Sequence, residues 1–282
     1  MTTPHETIHA LPIDGVELQY ADRGTGEPLL LVHGGVFADW FLPLATSVAL
    51  ESFRVIRVRR PGYGPRAPME PISLRDHARD LAVLLTSLHL EKVHLAGHSS
   101  GALISLQFAS EYLAVVQSLA LIEPAPLGPF QVPAFAELGQ RFIGPAMAAF
   151  AAADVPTATE HFLCGVGGEH YREVLDRRLG PHALERLRGE ARSFFGNEMP
   201  ACAQWQFGPE DAGRVQQPVL IVEGAVARQE GPLSQQVTEA AVRLFPRAQV
   251  ALIEGANHLV PLQQPEALGQ VLAAFARRHP LR

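Results

Sequence analysis

The chain has 282 residues, 47% of them hydrophobic, which predicts a folded globular protein with one large core and room for a modest insertion. It carries 29 acidic residues against 23 Lys and Arg, a formal net charge of −6, so we expect neither nucleic acid nor an anionic membrane as a partner. Two cysteines are too few for a disulfide framework. Because we see neither a signal peptide nor the roughly 18 consecutive apolar residues of a spanning helix, we expect a cytoplasmic protein.

An antiparallel hairpin is predicted near the start of the chain. Residues 7–11 and 16–23 flank Asp14-Gly15, a pair that favours a two-residue turn. Mostly apolar runs, typical of strands buried on both faces of a parallel sheet, then recur along the chain. These runs are residues 28–32, 53–58, 93–96, 118–122, 219–222 and 250–253.

Helices are predicted between these strands. In residues 73–88 the apolar side chains recur at helical spacing, and Ser73 with Asp76 resembles a capping box. Similar stretches occur at residues 100–112, 233–244 and 266–278. Strands that alternate with helices indicate an α/β protein with a doubly wound, mostly parallel sheet, and the hairpin suggests an antiparallel edge.

One long segment interrupts this alternation. Residues 125–213 contain no apolar strand run, but they hold proline-rich turns and helix-like stretches at 142–152 and 183–195. We therefore predict a helical cap, or lid, over the sheet at residues 125–213, with the core formed by residues 1–124 and 214–282.

The sequence Gly-His-Ser-Ser-Gly at residues 97–101 lies between a predicted buried strand and a predicted helix. This context is what a nucleophile elbow requires, because the tight turn lifts the serine above the end of the strand and points it at the N-terminus of the helix. Ser99 is therefore the candidate nucleophile. The alternative is a plain turn between a strand and a helix.

Two further segments fit around such a serine. His258 follows the last predicted strand, where a general base would lie over the nucleophile. Gly34 and Gly35 end the first buried parallel strand, and we expect the Gly35 amide to pair with that of Ser100 as an oxyanion hole. A plain glycine turn is the alternative for Gly34 and Gly35.

With these motifs the chain resembles the α/β-hydrolase superfamily over nearly its full length. The resemblance is carried by residues 33–35, 60–64, 97–101 and 255–258. It implies a capped α/β-hydrolase fold and Ser-His-acid hydrolysis of an ester-like carbonyl. The superfamily also includes thioesterases, lactonases, carbon–carbon bond hydrolases, cofactor-free haloperoxidases and a few hormone receptors.

The acid of the superfamily is missing from its usual place. The expected aspartate position, three residues after Gly224, is occupied by Ala227, and an alanine cannot orient an imidazole. Glu123, which ends the predicted strand 118–122, is the best substitute because a buried carboxylate there needs a partner. Glu230, Glu223 or no acid at all remain the alternatives.

Some members of the superfamily do supply their acid from this strand. They include haloalkane dehalogenases and fungal zearalenone lactonases, and the second group is similar to this chain in its serine elbow and in the turn after the acid. Dehalogenases use an aspartate nucleophile, so Ser99 argues against that activity.

We expect an aromatic, mostly uncharged pocket that suits a hydrophobic ester or lactone. Its predicted lining residues are Phe37, Phe194, Phe195, Met199, Trp205, Phe207 and Leu259. No cofactor and no metal is expected. Carbon–carbon bond hydrolysis with the same triad, a catalytically slow receptor on this fold, and a homodimer all remain open.

Overall fold

The computed structural model describes residues 6–64 and 72–281, and within them the chain forms one eight-stranded sheet. Its strands are β1 Ile8–Ile13, β2 Val16–Arg23, β3 Glu27–Val32, β4 Phe53–Arg59, β5 Val93–His98, β6 Val116–Ile122, β7 Val219–Gly224 and β8 Gln249–Ile253. They lie in the order β1-β2-β4-β3-β5-β6-β7-β8. β2 runs antiparallel to its neighbours β1 and β4, and all other pairs are parallel.

The predicted hairpin is confirmed at one edge of the sheet. Ile13 pairs with Val16, so the loop between them has two residues. Both loop residues have positive φ, 45° at Asp14 and 86° at Gly15. A two-residue turn of this kind matches the twist of the strands, which explains why the Asp-Gly pair predicted it.

The helices of the described ranges alternate with the strands in the core. They are α1 Leu42–Ala45, α2 Leu74–Ser87, α3 Ser100–Glu111, α4 Phe135–Leu138, α5 Gly144–Ala151, α6 Val155–Gly167, α7 Tyr171–Leu179, α8 Ala183–Ser193, α9 Met199–Gln204, α10 Pro209–Arg214, α11 Ala225–Glu230, α12 Pro232–Leu244, α13 Val260–Gln263 and α14 Pro265–Arg278. The described ranges also contain three 3₁₀ turns and two π-helical turns. The 3₁₀ turns are Ala38–Phe41, Val48–Leu50 and Gly128–Phe130, and the π-helical turns are Gly139–Ile143 and Phe194–Glu198.

Helices cover both faces of the sheet. Leu30 and Val32 point to the face packed by α2, α3 and α12, whereas Leu29 and Leu31 point to the face packed by α1 and α14. This alternation follows from the period of two along a strand, and it explains why strands buried on both faces are apolar throughout. The predicted doubly wound, mostly parallel sheet is confirmed.

The capping box at the start of α2 is also present. The Ser73 hydroxyl accepts a hydrogen bond from the Asp76 amide at 3.1 Å, and the Asp76 carboxylate accepts one from the Ser73 amide at 3.1 Å. Two amides at the helix N-terminus, which have no acceptor within the helix, are thereby satisfied.

Between β6 and β7 the chain is helical, as predicted for residues 125–213. The expected stretches at 142–152 and 183–195 correspond to α5 and to α8 with the π-helical turn that follows it. A third apolar cluster joins this segment to the loop after β3, where Phe37 and Trp40 pack near Leu163 and Leu187. The division of the chain into core and cap stays a prediction. In the described ranges, no helix combines the length and the apolar character needed to cross a bilayer.

Candidate active site

The candidate site lies at the carboxyl ends of neighbouring parallel strands. Ser99 follows β5, Glu123 follows β6 and Gly35 follows β3, while His258 lies in the loop between β8 and α13. β5 lies between β3 and β6 in the sheet, so three of these residues come from adjacent strands. In open α/β sheets ligands bind at this edge.

Ser99 stands in a strained turn between β5 and α3. Its φ of 54° and ψ of −122° are unusual for a residue with a side chain, and its amide donates to the Ile122 carbonyl at 3.0 Å. Glycines make the turn possible, because a Cβ on Gly97 would lie 2.6 Å from the Gly101 carbonyl carbon, and one on Gly101 would lie 2.8 Å from that of His33. This is the geometry of a nucleophile elbow.

Glu123 and His258 meet beside this turn. Glu123 Oε2 lies 3.3 Å from His258 Nδ1. The other carboxylate oxygen, Oε1, accepts from the Gly224 amide at 2.7 Å and from the Ser234 hydroxyl at 3.3 Å. With a carboxylate at Nδ1, the ring is oriented to carry its proton there and to leave Nε2 free to accept one. Among the hydrogen bonds of the described chain, none joins Ser99 to His258.

The other two candidate acids lie elsewhere. Glu223 is 1% exposed and pairs with Arg228, whose Nε lies 3.1 Å from its Oε1. Glu230 is exposed and accepts from Asn257 Nδ2 at 3.4 Å. Within the described residues neither carboxylate makes a hydrogen bond to His258. Ala227 lies in α11, which begins directly after β7.

The His98 side chain contacts the backbone of His258, a contact that the sequence did not indicate. It is 1% exposed, and its Nε2 donates to the His258 carbonyl at 2.9 Å. The two rings lie 4.9 Å apart between centroids. Burial, and then the nearby His258, lowers the pKa of His98 to about 3, so its ring stays neutral. His98 therefore fixes the backbone of the loop that carries His258.

Of the predicted oxyanion residues, Ser100 lines the cavity with Ser99, whereas Gly34 and Gly35 do not, although a Cβ on Gly34 would lie 3.0 Å from the Ser99 Cβ. Ser100 is the first residue of α3, so its amide has no acceptor within the helix. The Gly35 amide makes no hydrogen bond within the described chain. A Cβ on Gly35 would lie 2.6 Å from Phe194 Cδ2, and one on Gly34 would lie 2.8 Å from His98 Nδ1. Both positions therefore require glycine for close packing.

A cavity of about 260 Å³ opens at this site. Ser99, Ser100, Glu123 and His258 line it together with two of the predicted pocket residues, Phe194 and Met199. Most of the rest of its lining is apolar and was not predicted; it includes Leu127, Phe135, Leu138, Phe142, Ile143, Phe162, Val166, Leu233 and Val237.

Five side chains that we expected in the pocket lie outside its lining. Phe37, Phe195 and Leu259 are at most 1% exposed and belong to the apolar cluster between the helical segment and the loop after β3. Trp205 packs against Phe207 with the two rings tilted by 36°, and its indole donates to Gln107 Oε1 on α3 at 2.7 Å. All five pack in the hydrophobic core instead.

A parallel sheet with a serine elbow after β5 and a histidine after the last strand defines the class of α/β hydrolases. The family model described as "Alpha/beta hydrolase family" matches residues 29–271. The chain therefore belongs to the α/β-hydrolase family.

Several known proteins are similar to this chain. The dihydrolipoyllysine-residue acetyltransferase component of the acetoin cleaving system of Pseudomonas putida is 30% identical over 267 residues, which are 90% of this chain and 64% of that protein. The chain thus spans less than two thirds of that relative. The enol-lactonase of Burkholderia xenovorans LB400 has a TM-score of 0.74 at 16% identity, covering 95% of this chain and 99% of its own. Carboxylesterase CesB of Bacillus subtilis has a TM-score of 0.72 at 22% identity, covering 96% and 91%.

Proposed function

We propose that this protein hydrolyses a hydrophobic carboxylic ester or lactone through Ser99, His258 and Glu123. The observation that carries the proposal is the contact of Glu123 Oε2 with His258 Nδ1, 3.3 Å, in a cavity that the Ser99 elbow also lines. A nucleophile, a base and an orienting carboxylate are the parts that acyl transfer needs.

The proposed reaction proceeds through an acyl-enzyme. His258 Nε2 takes the proton from Ser99 Oγ, which attacks the carbonyl carbon, and the amides of Gly35 and Ser100 bind the oxyanion. Glu123 stabilises the imidazolium, which returns the proton to the leaving alkoxide as the C–O bond breaks. A water molecule, deprotonated by His258, then attacks the acyl group. The imidazolium returns that proton to Ser99 Oγ as the acyl–oxygen bond breaks, which releases the acid product.

The charges around the cavity favour an uncharged substrate. Three carboxylates, of Glu123, Glu137 and Glu230, line the cavity. Its one cationic lining residue in the described chain, Arg141, is exposed and lies 3.1 Å from the Glu137 carboxylate. A carboxylate or phosphate substrate would meet net negative charge there. The apolar side chains of the proposed cap, residues 125–213, suit a hydrophobic acyl or alcohol group.

A fluorophosphonate probe tests the nucleophile. We expect it to label the wild type at Ser99 and to leave Ser99→Ala unlabelled. A panel of neutral esters and lactones of increasing chain length, with a carboxylated ester as matched control, tests the substrate class. An unlabelled wild type would contradict the serine hydrolase. Labelling with turnover of neither esters nor lactones would instead favour carbon–carbon bond cleavage by the same residues.

A further inference from the structure

A buried carboxylate of the helical segment, Glu198, lies at the centre of a polar network beside the candidate site. It is 4% exposed, and its Oε1 accepts from Arg60 Nη2 at 3.1 Å. The Ser100 hydroxyl donates to the same oxygen, and the Tyr63 hydroxyl donates to Oε2. One carboxylate thus binds three donors, two from the turn after β4 and one from the first residue of α3.

The guanidinium of this network holds the peptide that carries the Gly35 amide. Arg60 Nη2 lies 3.2 Å from the His33 carbonyl and 3.3 Å from the Gly34 carbonyl. A trans peptide directs its C=O and its N–H in opposite directions. Holding the Gly34 oxygen on the Arg60 side therefore turns the Gly35 N–H away from Arg60.

The hydroxyl of Tyr63 holds the next peptide. It accepts from the Val36 amide at 3.1 Å while it donates to Glu198. The Gly35 carbonyl of that peptide accepts from the Trp40 indole at 2.8 Å. Burial, with Glu198 nearby, raises the pKa of Tyr63, so the phenol keeps the proton that it donates. Both peptides that flank the Gly35 Cα are fixed in this way.

The same carboxylate reaches the second amide of the pair. Ser100 follows the nucleophile directly, and its side chain is anchored to Glu198 rather than to solvent. Phe194, four residues before Glu198 in the same π-helical turn, covers Gly35 so closely that a Cβ there would lie 2.6 Å from its ring. One helical turn thus contacts both proposed oxyanion residues.

We propose that Glu198 is a positioning residue that aims the Gly35 and Ser100 amides at the substrate oxyanion, through Arg60, Tyr63 and the Ser100 hydroxyl. The proposal rests on the proposed hydrolase function. Glu198 touches no reacting atom. Its effect arises because amides aimed before the reaction stabilise developing charge without reorganising.

The test compares Glu198→Gln with Glu190→Gln. Glu190 is a second carboxylate of the helical segment that contacts a core arginine, Arg59, but it makes no hydrogen bond to Gly35 or Ser100. The readouts are kcat and KM for the best neutral ester, and the inhibition constants of two analogues of it. A trifluoromethyl ketone places an oxyanion in the site, and a non-hydrolysable ether does not.

We expect Glu198→Gln to lower kcat by about 10- to 100-fold, part of the loss caused by removing an oxyanion donor. The inhibition constant of the ketone should rise by a matching factor, while KM and the inhibition constant of the ether stay within about threefold. Glu190→Gln should stay within about threefold on all four measurements. A loss that falls on KM or on ether binding, or an equal loss in Glu190→Gln, would overturn the proposal.

Two milder variants keep the test decisive if Glu198→Gln does not fold. Ser100→Ala and Tyr63→Phe each remove one hydroxyl and leave the pair of Arg60 and Glu198 in place. Each should lower kcat and weaken ketone binding together by about 3- to 10-fold. Wild-type behaviour in both would refute the positioning role. If the wild type shows neither labelling nor turnover, the proposed function itself is refuted. If the wild type is active and the variants of Glu198, Ser100 and Tyr63 behave like it, only the role of Glu198 is refuted.

Discussion

Glu123, directly after β6, contacts His258, with Oε2 3.3 Å from Nδ1 and Oε1 accepting from the Gly224 amide at 2.7 Å. Both ends of the carboxylate are thus engaged. The Gly224 amide belongs to the end of β7, the strand after which the superfamily usually places its acid. Glu123, which follows β6, thus contacts both His258 and the end of β7.

Glu123→Gln should lower kcat by about 10²- to 10⁴-fold, because a neutral amide cannot stabilise the imidazolium and its NH2 can present a donor to Nδ1. Steady-state kinetics on the best ester measures this change. Glu230→Gln is the matched control, since Glu230 contacts Asn257 rather than His258, and it should retain kcat within about threefold. A larger loss of kcat in Glu230→Gln than in Glu123→Gln would instead identify Glu230, at the end of α11, as the acid.

Gly35→Ala should lower kcat by at least about tenfold, because the new methyl would overlap the Phe194 ring and displace the Gly35 amide. Gly189→Ala is the control. A Cβ at Gly189 in α8 meets no described atom within 4 Å, so that variant should keep its activity and gain about 0.5–1 kcal/mol of stability. Unchanged kcat in Gly35→Ala would show that this peptide takes no part in the reaction.

Asp80 should make the protein less stable as the pH rises from about 4 to about 6. Burial raises its pKa from 3.8 to about 6, although Arg79 opposes the shift, while Asp76 and Asp14 add to it. The unfolded chain therefore loses this proton at lower pH than the folded chain does. Relative to wild type, Asp80→Asn should gain about 2 kcal/mol in free energy of unfolding between pH 4 and pH 7.

Urea unfolding at several pH values measures this difference for Asp80. The exposed Asp176→Asn in α7 serves as its control and should follow the wild-type curve. Parallel curves for wild type and Asp80→Asn would contradict the prediction.

Thiol alkylation should leave the activity intact. Both cysteines are free, and Cys202, which lines the cavity, is 3% exposed. Burial, with Glu198 nearby, raises the pKa of Cys202, and burial raises that of Cys164, so neither forms the reactive thiolate near neutral pH. Treatment with iodoacetamide at pH 8 should therefore leave ester turnover unchanged, whereas treatment with a fluorophosphonate should abolish it. Inactivation with Cys202 alkylated would contradict this expectation.

Most strands were predictable because their apolar runs are buried on both faces of the sheet, as in β3 and β5. In β8, at the edge of the sheet, Val250 and Leu252 are exposed, and only the apolar character of the run predicted the strand. The ends of the strands were less predictable. β5 extends to His98, because the His98 backbone still pairs with Ile122, although a histidine does not continue an apolar run. In the helical segment, α7 was missed because only Tyr171 and Leu175 of its nine residues are buried. A short helix with so few apolar residues has little detectable periodicity.

The chemistry at the strand ends was predictable for a similar reason, since topology brings those ends together whatever the loops do. The lining of the pocket was not predictable, because the packing of the loops and helices between β6 and β7 decides which side chains face the cavity and which face the core. Phe37 packs in the core, whereas Phe162 lines the cavity. Glu198 joins partners 98 and 138 residues away, and no local pattern signals such contacts.

The replacement of the usual aspartate by Ala227 has a practical consequence. Ala227 lines the cavity, whereas the carboxylate that lies 3.3 Å from His258 Nδ1 belongs to Glu123, which follows another strand. Position 227 thus lies on the wall of the cavity, outside the contact between Glu123 and His258. We expect a saturation library at this one codon to change the substrate range more than it changes kcat.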